Sequence, residues 1–151
     1  MRSIETAPHV LGPGMGERVA FLGHDFLFKG TAATTGGAFS AIEIVQRRGG
    51  EPPRHVHHRE DEAFYVLEGE MTFHVGDEVL PAPAGSFVFL PRDVPHTFTV
   101  NGDGVARVLQ LCSPAGVERF FSEWSDRPLD VPAMATALDE YGVEIVGPPP
   151  R

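Results

Sequence analysis

The sequence predicts an all-β domain, a β-sandwich or barrel, with a short helical tail. Three observations carry that reading. Apolar runs of about four to eight residues recur along most of the chain, many alternating apolar and polar as half-buried strands do. Turn residues separate them: the 17 Gly and 14 Pro are scattered between the runs rather than gathered into a linker. From Pro114 onward the period changes, and Val117, Phe120, Phe121 and Trp124 recur at helical spacing.

The 151 residues suit one domain with one core, and 42% hydrophobic with 22% charged residues is ordinary for a soluble globular chain. A formal net charge of −9 argues against nucleic acid and anionic membrane surfaces, which call for a basic face. No apolar stretch reaches the 18 or so residues that a membrane helix needs. The N-terminus lacks the apolar core of a signal peptide, so a cytoplasmic protein is expected. The lone cysteine, Cys112, lies in an apolar run and reads as a small buried hydrophobe.

In chain order, residues 1–18 read as a loosely held arm rich in Gly and Pro. Residues 19–112 read as the β domain and residues 113–151 as a tail packed on it. Val19–Leu22 and Phe26–Lys29 are short strands broken at Gly23, with His24 expected as a surface-loop residue in the break. Thr34 to Gly37 is turn chemistry. Ala38–Arg47 is a strand with Ile42 and Ile44 on one face and Glu43 on the other. Pro52 and Pro53 impose an extended entry to His55. Ala63–Leu67 and Met71–Val75 flank Glu68-Gly69-Glu70 as a hairpin would, with Met71, Phe73 and Val75 on the apolar face and His74 on the other. Residues 81–85 read as a loop, then Phe87–Leu90, His96–Val100 and Ala106–Cys112 as strands. Ser113 is a candidate cap for the helix that carries Phe120, and Pro132 stands near the start of a second helix over Ala133–Tyr141. Gly147–Arg151 reads as a frayed end.

The chemistry concentrates between Gly49 and Gly69. His55 and His57 are two residues apart, so on a strand they share a face and can reach one point. Glu62 opens the next strand, and a hairpin would bring its carboxylate back toward the imidazoles. His96 is a fourth candidate downstream. His58 alternates away from the pair and is not expected to be a ligand. Imidazoles with a carboxylate suit Zn, Fe, Ni, Cu or Mn.

These residues resemble the cupin family, whose fold is a jelly-roll β-barrel. Gly49, His55, His57, Glu62 and Gly69 keep every spacing of the family's first motif, G-x5-H-x-H-x(3,4)-E-x6-G. Gly85, Pro91 and His96 fit the second, G-x5-P-x-G-x2-H-x3-N, while Asp93 stands at its usual glycine and Val100 at its usual asparagine, with Asn101 one place later. The resemblance implies a cupin jelly roll (double-stranded β-helix) with one divalent transition metal per chain, Fe, Mn, Ni, Cu or Zn, held by His55, His57, Glu62 and His96. It also implies a homodimer. In the quercetinase-like members the ligand glutamate takes a proton from the substrate, and Glu62 would do so here.

Two aspects of function follow. The pocket should be apolar, with Phe64, Phe87, Phe89, Phe98 and Gln110 as candidate lining residues, which favours a small, largely apolar organic molecule. A metal-dependent, dioxygenase-like oxidoreductase is the leading expectation. The alternatives are a metal-dependent isomerase or lyase and a small-molecule-binding protein without turnover, because one fold hosts many chemistries.

Overall fold

The computed structural model describes residues 6–150, so Met1–Glu5 of the expected arm and Arg151 of the expected frayed end lie outside the described residues. Residues 6–16 contain no strand or helix; Lys29 anchors them, its Nζ donating to the carbonyls of Gly12 at 2.9 Å and Met15 at 2.7 Å.

Eleven strands follow among the described residues. Six form one antiparallel sheet: β1 (Glu17–Phe21), β2 (His24–Gly30), β3 (Ser40–Arg47), β10 (Val105–Ser113), β5 (Asp61–Glu68) and β8 (Phe87–Leu90), in that spatial order. Five form the other: β11 (Val143–Ile145), β4 (His55–His57), β9 (His96–Val100), β6 (Glu70–Val75) and β7 (Glu78–Pro83). No ladder joins the two sheets among the described residues, so the jelly roll is closed by side chains. Alternation supplies them: Ile42 and Ile44 from β3, Phe64 and Val66 from β5, Phe73 from β6, and Phe98 and Val100 from β9 are all buried between the sheets.

The turn at Gly69 is not a hairpin. β5 pairs with β10 and β8, whereas β6 pairs with β7 and β9, so Gly69 is a corner between sheets. Its φ of 85° favours glycine, and a side chain there would strike the Val105 carbonyl and Ala106. Likewise β4 and β5 lie in different sheets, so Glu62 meets the imidazoles across the sandwich rather than along a ladder. Residues 81–83, expected as loop, belong to β7. Pro81 and Pro83 are tolerated because β7 is an edge strand, where the outer side needs no N–H.

The tail holds α2 (Glu118–Glu123) and α3 (Val131–Glu140). Ser113 does not cap α2; its hydroxyl donates to the Ala38 carbonyl at 2.9 Å. Asp130 caps α3 by accepting from the Ala133 N–H at 3.1 Å. Thr34 and Thr35 end a one-turn helix, α1 (Ala32–Thr35), closed by Gly36 at φ 66°. Phe120 and Phe121 of α2 meet Phe21 edge to face at centroid distances of 5.5 Å and 5.2 Å, and Phe121 meets Phe26 at 4.7 Å. Cys112 is buried beside Val117 and Val143 in a small second cluster.

Candidate metal centre

The five-stranded sheet supplies three imidazoles. His55 and His57 project from the same face of β4, and the β4–β9 ladder places His96 directly opposite His55. From the facing sheet, β5 brings Glu62. One ligand atom from each of the four lies within 4.8 Å of the others. His57, Glu62 and His96 are buried and His55 is partly so.

Each ring is fixed through its Nδ1. His55 Nδ1 donates to the Pro53 carbonyl at 2.8 Å, His57 Nδ1 to Glu60 Oε1 at 3.0 Å, and His96 Nδ1 to the Val94 carbonyl at 3.2 Å. All three acceptors are oxygens, so Nδ1 carries the proton and, in the neutral ring, Nε2 carries the lone pair a metal needs. His57 Nε2 lies 3.7 Å and His96 Nε2 3.1 Å from the Glu62 carboxylate. Yet His96 Nε2, though fully buried, has no well-angled hydrogen-bond partner. A buried lone pair left without a partner, amid two other imidazoles and a carboxylate, is what a metal ion would satisfy. The residues therefore fit a divalent transition metal.

Gln110, from the neighbouring β10, donates to Glu62 Oε2 at 2.6 Å, with Cys112 Sγ 3.7 Å away. Burial pushes the Glu62 carboxyl up, but His57, His96 and His55 together outweigh it and hold Glu62 well below the usual carboxylate range. Burial, with His96 and His57 close by, pushes His55 down to about 3. Burial also opposes protonation of His57, but Glu62 and Glu60 prevail and raise it. Burial and the nearby Glu62 and Glu60 charges push the Cys112 thiol well above its ordinary value, so it is no nucleophile.

Residues 42–112 match the family model described as a cupin domain. Over those residues the chain is a cupin domain. It is 28% identical over 121 residues to quercetin 2,3-dioxygenase of Bacillus subtilis (strain 168), covering 79% of this cupin and 35% of that protein. It thus spans about a third of the length of that relative. An RmlC-like cupin from Shewanella frigidimarina superposes with TM-score 0.63 at 23% identity, over 75% of this chain and 96% of the other. Streptomyces Pac13, described as a nucleoside dehydratase, superposes with TM-score 0.59 at 18% identity, over 75% and 88%. At these identities the likeness is one of fold.

In this cupin a cavity of about 170 Å³ opens beside the four residues. Of the candidate lining residues, Phe64, Phe98 and Gln110 lie along it. Phe87 and Phe89 do not: they stand on the outer face of β8, 64% and 54% exposed, because Val88 and Leu90 take the inner positions. The tail adds lining that local sequence could not announce, including Phe120, Phe121, Met134 and Leu138. His58 points outward between Asp93 and Glu144, at 2.7 Å and 3.1 Å. Asp93 itself has φ 68°, the left-handed geometry that explains the family's usual glycine there.

Three polar residues escaped the sequence reading. Glu60, in a charged loop, is buried and orients His57; only its place three residues after a candidate ligand histidine hints at this. Gln46 continues the inward Ile42, Ile44 alternation and lines the cavity. His24, expected on the surface, is buried and lines it too.

Proposed function

We propose that this cupin is a cytoplasmic, metal-dependent oxidoreductase of the dioxygenase-like kind, acting on a small, largely apolar organic molecule held inside the barrel. What carries the reading is the convergence of three tethered imidazoles and one ionised carboxylate beside an apolar cavity. His55, His57, His96 and Glu62 would hold one ion of Fe, Mn, Ni, Cu or Zn per chain. Such an ion, when bound, supplies a Lewis acid or redox centre with open coordination positions.

The remaining work falls to the chain's own side chains. Glu62 is the proton acceptor of this reading. Gln110 fixes one of its oxygens, and its ionised state at neutral pH leaves it free to take a proton from a substrate hydroxyl. Phe64, Phe98 and Phe121 exclude water from the molecule bound beside it. A cavity of about 170 Å³ is near the roughly 150 Å³ that encloses a benzene ring, which favours a substrate of about one ring over a large polycycle.

The test is elemental analysis of protein purified without chelator or a nickel column, followed by O2-uptake measurements with catechols and diketones. Near-stoichiometric Fe, Mn, Ni or Cu with substrate-dependent O2 consumption is expected. Zn alone with no O2 uptake would transfer the reading to an isomerase or lyase, which the Glu62–Gln110 pair also suits, since a held carboxylate moves protons without redox chemistry.

We also propose a homodimer. β8 is an edge strand, and Phe87 and Phe89 with the paired Tyr65 make an aromatic outer face beside its open ladder. Sedimentation should show a dimer that Phe87→Ser with Phe89→Ser converts to monomer. A monomeric wild-type protein would refute it.

A further inference from the structure

The cavity has a second polar end, built from His24, Gln46 and the backbone of Gly50. β2 pairs with β3 through Asp25 and Val45, so His24 and Gln46 stand one position further along the same ladder. Both point inward, in step with Phe26 and Ile44, and each is only 7% exposed. His24 Nε2 donates to the Gly50 carbonyl at 2.9 Å. The acceptor is an oxygen, so Nε2 holds the proton and Nδ1 of the neutral ring is a lone-pair acceptor. Gly50 is closed against that ring: a Cβ there would overlap His24 Nε2 and Cε1, so the imidazole cannot shift toward the loop.

Neither acceptor is used. His24 Nδ1 and Gln46 Oε1 are both buried without a hydrogen-bond partner. Buried acceptors left unpaired cost stability, and the chain could have placed apolar side chains here as it does at Phe26 and Ile44. Two unpaired acceptors suit a hydroxyl or N–H, whereas an ionised carboxylate would be buried in a cavity whose lining holds no lysine or arginine. This end is also remote from the metal ligands. Along β10, Glu62 stands opposite Cys112 and Gln46 opposite Ala106. That is six positions, or about 20 Å of strand before the side chains reach inward. Between the two ends the walls are apolar: Phe26, Ile44, Phe64 and Phe121.

We propose that His24 and Gln46 form a second subsite that accepts a hydroxyl group of the substrate, at the end of the cavity away from the metal ligands. The substrate is then slim and elongated, apolar through its middle, with an O–H donor at its far end. This rests on the reading that the cavity holds the substrate, but not on the metal or on turnover.

The experiment measures binding of 2-phenylethanol, ethylbenzene and phenylacetate by calorimetry or protein-observed NMR, on protein as purified and after chelation. The wild type should prefer the alcohol to the hydrocarbon by about tenfold, the worth of one buried hydrogen bond, and should bind phenylacetate weakest. The preference should persist after chelation, which separates this subsite from the metal centre whatever becomes of the proposed activity. Gln46→Leu should bring the ratio near one while leaving the melting temperature unchanged or raised, because it removes an unpaired buried amide. His24→Leu should also abolish the preference; any loss of fold from cutting the Gly50 link is separated from it by the Gln46→Leu result. Equal affinities in the wild type, as expected if the acceptors merely hold an ordered water, would overturn the proposal. So would a preference that survives Gln46→Leu, or a fall of several degrees in that variant's melting temperature, which would mark Gln46 as structural.

Discussion

The two sheets contribute unequally to the candidate centre. The five-stranded sheet supplies all three histidines, pre-oriented by oxygen acceptors on their own or adjacent segments: Pro53, Glu60 and Val94. The six-stranded sheet supplies the charge, Glu62, and the side chain that steadies it, Gln110. One half is tethered locally and the other arrives through tertiary packing. The donor set is therefore complete only while Phe64, Phe73 and Phe98 keep the sheets together. Binding at this place is coupled to the stability of the whole sandwich, not to one loop.

That contrast can be broken most directly from the histidine side. His57→Ala should cut metal affinity by well over 100-fold, taking stoichiometry from near one per chain to near zero with the circular dichroism of the barrel unchanged. Unaltered stoichiometry by elemental analysis would remove His57 from the centre. The coupling of the sheets is tested next. Stripping the metal should lower the unfolding free energy by about 3–4 kcal/mol at metal concentrations several hundred times Kd, read as a melting shift on the order of 10 °C. A melting curve indifferent to chelation would mean that the ion does not bridge the sheets.

Smaller effects separate the tethers from the ligands. Glu60→Gln should weaken metal binding by about 10–100-fold, because His57 loses its charged acceptor but keeps its lone pair. Asp93→Asn, which alters the side chain that meets the outward His58 and keeps the backbone N–H that donates to the His57 carbonyl, should change affinity little; comparable losses in both variants would undo the distinction.

The smallest effect is in pH. In the metal-free chain Glu62 and Glu60, prevailing over burial, raise the pKa of His57. Its favourable contribution to stability is complete below about pH 6.5 and is lost as pH rises through the raised value. A metal must displace that proton, so affinity should climb about tenfold per pH unit below the raised pKa and level off past it. His55 acts in the other direction: the unfolded chain takes up a proton between about 6.5 and 3 that the folded chain, with His55 held near 3, refuses. Stability of the metal-free protein should therefore fall as pH drops through that window. Calorimetry in buffers of different ionisation enthalpy would check the proton count, and a pH-independent affinity would refute it.

The four residues of the candidate centre were legible in the sequence because their signal is local. His55 and His57 share a face by alternation, and Glu62, Phe64 and Val66 share another, wherever the strands finally lie. Sheet membership was not legible. Glu68-Gly69-Glu70 satisfies the chemistry of a hairpin and of a corner alike, and only packing against Val105 and Ala106 chooses between them. The same limit hid His24, whose burial depends on Gly50, 26 positions away in sequence. It reversed the expectation for Phe87 and Phe89 as well: their side of β8 faces inward only if Val88 and Leu90 do not. The strand β11, three residues long, has too little alternation to announce itself.

That short strand has a consequence for the order in which the molecule can be assembled. β11 flanks β4 in antiparallel register, joining Val143 to His57 and Ile145 to His55. The partners are some ninety residues apart, so the ladder that frames the His-x-His segment closes one of the longest loops in the chain and is among its slowest contacts to form. A nascent or refolding chain would hold its histidines well before it held them still. Metal offered early would meet a flexible chelator, and the selective centre would be the last part of the protein to come into being.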